Sequence, residues 1–295
     1  MVKVRPPTID NTLDASTILR CVNYPDTGEE EIWESFKLFW MLLLKKIDMS
    51  DQPVFIFSAS WRTGSTLLQR VLNSTENILI WGEPKHLDQV RALNIDFHTY
   101  FEHAQSQYAG IERKGIENAW TPILCPKPEY VNPAFKLMID GLYKTAAYDQ
   151  GHNRWGFKEV RINAYENALW LKKLYPHAKF IFHYRDPFSM FSSVIKTDFY
   201  ENFEDPYAPV KTWKNNVRDI LLNDSKKVDF FIVNHEDLIN TEKNSDLINN
   251  LFDYIDLEYD LGKIQATLSN KVGGSKEKSN LTDEQISTIS EIIRG

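Results

Sequence analysis

Val54-Phe55-Ile56-Phe57-Ser58-Ala59-Ser60-Trp61-Arg62-Thr63-Gly64-Ser65-Thr66-Leu67-Leu68-Gln69-Arg70-Val71-Leu72 decides how the rest of the chain is read. It opens on apolar, β-favouring residues, the pattern of a parallel strand buried on both faces. Leu67, Leu68, Val71 and Leu72 then recur at helical spacing and cover one side of a helix. The polar residues between them contain a single glycine. A strand that feeds a helix through such a loop aims several backbone N–H groups, and the positive end of the helix dipole, at one point. An anion, usually a phosphate, is the natural occupant of that point. The nucleoside triphosphate version of the loop needs Gly-x-x-x-x-Gly-Lys-Ser/Thr. Here Ser65 follows Gly64 directly, and the cation, Arg62, precedes the glycine.

The 295 residues leave room for one large α/β domain or two small ones. Hydrophobic residues at 42% and charged residues at 25% place the chain among ordinary folded proteins. A net charge of −7 gives no electrostatic reason to expect a nucleic-acid partner, so any basic site is local. The two cysteines, Cys21 and Cys125, form no disulfide framework and suit a reducing compartment. Val2 to Pro7 lead into no apolar core or small-residue cleavage site, so no secretory leader is expected. The most apolar run, Leu38 to Leu44, is too short to cross a bilayer. It sits in an amphipathic stretch, Ile32 to Leu44, with mixed flanking charges, which reads as a buried helix rather than a membrane-surface one. A cytoplasmic protein without stable membrane insertion is the expectation. Oligomeric state leaves no mark on the sequence.

Along the chain, residues 1–31 are polar and proline-punctuated and read as an N-terminal extension. Further strands are expected at Ile78–Trp81, at Trp155–Glu159, at Lys179–Tyr184 and at Val228–Val233. Helices are expected over Asn163–Tyr175, Phe188–Ile195, Val210–Leu222 and Asp246–Tyr254, with Thr282 as N-cap of a closing helix. Residues 85–150, broken by Pro122, Pro126, Pro128 and Pro133, are expected to be the least regular part, with a helix at Asp140–Tyr148. Such segments often form a substrate-side lid over a fixed scaffold. Alternating buried strands and helices imply a mostly parallel sheet with helices on both faces. Its ligand loops lie at the carboxyl ends of the strands. The polar punctuations after Phe57, Trp81 and Tyr184 are such ends and should converge on one edge.

Arg62-Thr63-Gly64-Ser65-Thr66 resembles the 5′-phosphosulfate loop of the sulfotransferases, in the arginine form carried by the carbohydrate and tyrosylprotein branches. The resemblance spans about residues 52–280. It implies a three-layer α/β/α, P-loop NTPase-like fold, here one domain over residues 1–295. It also implies sulfuryl transfer from 3′-phosphoadenosine 5′-phosphosulfate, with 3′,5′-diphosphoadenosine as product and no metal. Arg185 and Ser193, eight residues apart after a strand, match the family's pair for the 3′-phosphate. A guanidinium suits that role because it clamps phosphate oxygens bidentately. The alternative is an Arg185–Asp186 ion pair with Ser193 solvated or bonded to backbone.

Gly82-Glu83-Pro84 falls where the tyrosylprotein-like branch carries its general base, and the resemblance gives Glu83 that role. His86, His183 and His235 are alternative bases. Lys158, in Trp155-Gly156-Phe157-Lys158-Glu159, resembles the family lysine that faces the sulfonate, or else pairs with Glu159. Val233-Asn234-His235-Glu236-Asp237-Leu238 resembles the segment beside adenosine, with His235 replacing a tyrosine. Ser275 and Lys276 stand where a tail loop closes over the phosphates, in a sequence that departs from the common Arg-Lys-Gly signature. Trp61 either stacks on adenine or shields the loop. The resemblance implies as acceptor a hydroxyl of a small molecule, carbohydrate or lipid. Other readings are a P-loop small-molecule kinase, disfavoured by the missing loop lysine, and a non-catalytic nucleotide-binding module.

Overall fold

In the computed structural model, which describes residues 51–108, 125–161, 163–197, 203–221, 227–270 and 281–295, the opening strand is β1 (Val54–Ser58). It is buried at every position. Four more strands join it: β2 (Ile78–Trp81), β3 (Arg154–Glu159), β4 (Lys179–Tyr184) and β5 (Phe230–Asn234). Their order is β2-β3-β1-β4-β5, and every adjacent pair is parallel. β1 is thus the central strand, with Phe55 opposite Phe157 on one side and Phe180 on the other.

Side chains alternate across a strand, so β1 feeds two cores. Phe55 and Phe57 join Phe157, Phe180 and Phe182 on one face, while Val54 and Ile56 join Ile80, Ile181 and Val233 on the other. Each buried phenylalanine contributes about 1.5–3 kcal/mol relative to an exposed one. Gly156 is forced by close approach: a Cβ there would run into the backbone carbonyl of Val54 on the neighbouring strand. The tight β1–β3 pairing therefore requires glycine at this position.

Helices cover both faces, giving the three layers expected. On the valine/isoleucine face lie α1 (Ser65–Asn73), α8 (His235–Ile239), α9 (Asn244–Ile255) and α10 (Leu261–Ser269). On the phenylalanine face lie α2 (Leu87–Tyr108), α3 (Val131–Ile139), α4 (Thr145–Asp149), α5 (Ala164–Leu174) and α7 (Ala208–Leu221). A smaller cluster of Met190, Phe191, Val194, Val210 and Ile289 packs α6 (Pro187–Val194) and α7 against α11 (Asp283–Arg294). Thr282 caps α11 as expected, in a reciprocal capping box with Gln285.

The described part of residues 85–150 departs from the irregular segment that its prolines suggested: it is largely helical. Pro128 opens a 3₁₀ turn (Pro128–Tyr130), and Pro133 falls in the first turn of α3. The first turn of a helix has no carbonyl partner for its N–H groups, so proline costs nothing there. A π-helical turn, Asp140–Lys144, links α3 to α4 within the helix foreseen at 140–148. The N-terminal extension 1–31 and the amphipathic stretch 32–44 lie outside the described residues. Among those residues no helix is long and apolar enough to cross a membrane.

Candidate active site

Parallel strands deliver all their carboxyl ends to one edge, and each of those ends carries a polar cluster. After β1, the loop from Ala59 to Gly64 is pinned from inside. Ser58 Oγ donates to the Ser60 carbonyl at 3.0 Å, the Ser58 and Thr63 hydroxyls are in contact, and Ser60 Oγ donates to the Pro209 carbonyl at 2.7 Å. Gly64 is the N-cap of α1 with φ +92°, a left-handed conformation that glycine adopts without strain. A Cβ at Gly64 would also collide with the His235 ring, so no larger residue fits between loop and ring. Thr63 and Ser65 are buried, whereas Arg62 and Thr66 face outward.

The second cluster follows β4. Asp186 caps α6 by accepting from the Ser189 N–H at 2.7 Å, and is thereby occupied. Arg185 pairs instead with Glu236, Nε to Oε1 at 3.5 Å. Ser193, one face along α6, accepts a hydrogen bond from Arg62 Nε at 3.2 Å. That contact answers the geometric question posed by the sequence. The Arg62–Thr66 loop and the Arg185/Ser193 pair lie on the same sheet edge and touch.

His183 and His235 fill the floor beneath. Their rings meet edge to face with centroids 5.5 Å apart, and His183 sits opposite Ser58 in the β1–β4 ladder. Burial, then the charges of His235, Lys158 and Arg185, hold His183 well below the usual histidine range. Burial, then Arg185, lowers His235 to about 4. Both rings are therefore neutral at pH 7, and His183, fully buried, is removed from the list of bases able to meet an acceptor.

A stability consequence follows. Between pH 6.5 and about 4 an unfolded chain binds protons on these imidazoles that the folded chain does not, so stability is lost as pH falls. Each group contributes up to about 1.4 kcal/mol per pH unit. Thermal melts from pH 7 to pH 5 should show a shallower decline for His183→Leu than for the unsubstituted protein.

The third cluster joins the ends of β2 and β3. Glu83 Oε1 accepts from Lys158 Nζ at 2.7 Å, and Glu83 Oε2 pairs with Arg161 Nη1 at 2.7 Å. Lys158 therefore pairs with Glu83 and not with its neighbour Glu159. Glu159 is fully buried and accepts backbone N–H groups instead, from Lys85, Val160 and Arg161. His86 lies exposed at the foot of α2, its carbonyl accepting from the Val90 N–H. Trp61 packs edge to face on Phe203, centroids 5.4 Å apart. Ser275 and Lys276 lie outside the described residues.

Several supporting residues carry no motif. Asn216 on α7 donates to the Ala59 carbonyl at 3.1 Å and accepts from the Ala164 N–H at 3.0 Å. Trp213 on the same helix donates to the Arg185 carbonyl at 2.8 Å. Helix α7 thus braces the exits of β1 and β4 together. Arg161 had a usable signal, a second cation three residues past Lys158 at a strand exit. Asn216 had none, since one amide in an amphipathic helix reads as surface.

His235 Nδ1 is buried with no hydrogen-bond partner, and Arg185 Nε has only the Glu236 carboxylate, at the ion-pair distance of 3.5 Å. Unmatched buried polar nitrogens are costly unless something meets them. Among the described residues no group of three or more His, Cys, Asp or Glu is placed to hold a metal ion.

The profile of the sulfotransferase family matches residues 53–260. No curated protein matches the chain in sequence. Among solved structures, the chain is similar to the sulfotransferase domain from the curacin biosynthetic pathway, at 16% identity and TM-score 0.48, over 74% of this chain and 77% of that one. It is also similar to the sulfotransferase domain of the Synechococcus PCC 7002 olefin synthase, at 18% identity and TM-score 0.44, over 81% and 84%. Sulfotransferase STF1 from Mycobacterium tuberculosis H37Rv aligns at 16% identity and TM-score 0.43, over 86% and 80%.

Proposed function

The chain belongs to the sulfotransferase family, and we propose that it moves a sulfuryl group from 3′-phosphoadenosine 5′-phosphosulfate to a hydroxyl of a small-molecule, carbohydrate or lipid acceptor. The observation that carries this reading is the contact between the two anion-binding elements, Arg62 Nε on Ser193 Oγ at 3.2 Å. One nucleoside with phosphoryl groups at its 3′ and 5′ ends fits two such elements on one edge. The buried His235 nitrogen, which has no hydrogen-bond partner, suits it as a contact.

The phosphosulfate supplies the group to be transferred. Arg62, with the backbone N–H groups of Thr63, Gly64, Ser65 and Thr66, would hold the 5′ end. Arg185 and Ser193 would hold the 3′-phosphate, and His235, packed under Gly64, would support the nucleoside side of the loop. Lys158 and Arg62 would stabilise the negative charge that grows on the leaving phosphate oxygen. Such fixed cations are the main catalytic resource in a loose, in-line transfer. Glu83 would take the acceptor's proton as its oxygen bonds to sulfur. Residues 85–150 begin at the turn bearing Glu83, so we assign acceptor selection to this segment. Ser275 and Lys276 would close over the phosphates, and a cytoplasmic location fits the cysteine content.

Calorimetry with 3′,5′-diphosphoadenosine tests the reading. Arg185→Ala should weaken binding by about 2 kcal/mol, roughly thirtyfold, the lower end for truncating a charged hydrogen-bonded partner. Ser193→Ala should lose about 1 kcal/mol. No binding by the unsubstituted protein would refute the assignment.

A further inference from the structure

Glu159 is an expensive residue to place where it stands. Its side chain is fully buried at the end of β3, beside Phe57 in the β1–β3 ladder. An unpaired carboxylate in such a position would be strongly destabilising. The structure meets that cost with backbone donors rather than a cation. Oε1 accepts from the Val160 N–H at 2.8 Å and the Arg161 N–H at 3.3 Å, and Oε2 accepts from the Lys85 N–H at 2.8 Å.

Those donors come from two different strand exits. Val160 and Arg161 continue β3, whereas Lys85 belongs to the turn after β2, two residues beyond Glu83. The β2–β3 ladder ends at Trp81 opposite Phe157, so no strand pairing fixes the turn that carries Glu83. Lys85 itself has φ 61°, a left-handed conformation that a non-glycine residue keeps only when its surroundings impose it. The Lys85–Glu159 hydrogen bond is such a restraint. Successive residues of a strand point to opposite faces. Lys158 thus meets the Glu83 carboxylate, while Glu159 grips the backbone of Glu83's turn.

We propose that Glu159 is a positioning residue: it staples the turn after β2 to the exit of β3 and thereby sets where the Glu83 carboxylate stands against Lys158 and Arg161. Its catalytic consequence rests on Glu83 acting as base. A purely packing role would be met by an apolar side chain. An acceptor-only carboxylate that bridges two strand exits does something an apolar side chain does not.

The test needs no acceptor and no nucleotide, so it stands apart from the sulfotransferase reading. Glutamine has one accepting and one donating end, so Glu159→Gln cannot receive both Lys85 and Val160. The coupling between Glu83 and Lys158 is read from urea midpoints of Glu83→Gln, Lys158→Met and the pair together, first in the unsubstituted chain and then in the Glu159→Gln background. Positioning predicts that this coupling disappears in the second background. A merely structural role lowers every midpoint alike and leaves the coupling intact, which would overturn the proposal. If Glu159→Gln does not fold, amide exchange in the unsubstituted protein decides. The Lys85 N–H, bonded to a buried carboxylate, should exchange at least about a hundredfold more slowly than in an unstructured peptide, and rapid exchange would overturn the proposal too.

Discussion

Glu83→Gln should lower turnover by about 10²–10⁴-fold, the range supplied by a positioned general base, and leave affinity for 3′,5′-diphosphoadenosine nearly unchanged. Glutamine keeps the shape of the side chain and one acceptor oxygen, so Lys158 retains a hydrogen bond. What it loses is the ability to take a proton. The carboxylate is partly open, with 22% of its side chain exposed, and both oxygens are engaged by cations at 2.7 Å. On the proposed mechanism, an anionic donor would give Lys158 a second negative partner and free the Glu83 oxygen it holds for the acceptor hydroxyl. Transfer is read as the mass gain of an acceptor found by screening hydroxyl compounds with isotopically labelled donor. Retained turnover in Glu83→Gln, with loss in His86→Ala, would move the base to His86. A loss of nucleotide affinity in Glu83→Gln would instead mean that Glu83 organises the phosphate loop.

The sheet and the edge that carries the Arg62 and Arg185 loops were legible in the sequence for the same reason. Central parallel strands are covered on both faces, so β1 and β4 appear as unbroken apolar runs, and the polar residue that ends each run marks the ligand edge. The loops of Arg62 and Arg185 were expected on one edge because parallel strands deliver their carboxyl ends there, and the Arg62–Ser193 hydrogen bond brings them into contact. Helices α2 and α3 were not legible. For α3, Pro133 was read as a break, although a proline in the first turn of a helix removes an N–H that has no intrahelical partner; α2 holds no proline and was passed over with the segment that follows it. The pairing of Lys158 was equally hidden. Neighbouring residues of opposite charge suggest a Lys158–Glu159 pair, yet strand alternation sends the two side chains to opposite faces and hands Lys158 to the Glu83 carboxylate in the turn after β2. Glu159, which looks like that partner in sequence, is freed to bind backbone.

The two ends of the sheet thus use charge in different ways. At the carboxyl edge the charges are shared and partly open: Lys158 and Arg161 divide the Glu83 carboxylate, Arg185 faces Glu236, and Arg62 is hydrogen-bonded to the Ser193 hydroxyl. At the other edge, before β1, the charges are closely matched and buried. Asp51 accepts from Lys144 at 3.1 Å and from Trp155 Nε1 at 3.3 Å, with Lys136 at 3.7 Å. Lys136 is also bonded to Asp140 at 2.7 Å, and Tyr175 donates to the other Asp140 oxygen at 2.8 Å. This network ties α3, the π-helical turn and β3 to the chain entering β1.

Asp51→Ala should therefore be among the most damaging single substitutions for stability, at about 3–5 kcal/mol, the cost of breaking a buried ion pair by removing one partner. The Asp51 side chain is 5% exposed, and its partners Lys136 and Lys144 are 8% and 15% exposed. Burial is the largest influence on Lys144 and lowers its pKa, but the charge and hydrogen bond of Asp51 reverse this and leave it raised. Without Asp51 that ammonium is left desolvated, and the Trp155 N–H loses its acceptor. Lys136 keeps Asp140, so the loss falls mainly on Lys144. Set against a total stability of about 5–15 kcal/mol for a folded domain, the change is a third or more in most of that range. Urea unfolding at neutral pH measures it as a lower midpoint. Asp51→Asn, which keeps an acceptor for Trp155, should lose less. Adding Lys144→Met to Asp51→Ala should recover part of the stability, because the stranded charge is gone. Equal losses in Asp51→Ala with and without Lys144→Met would show that the charge is not what Asp51 is there to hold.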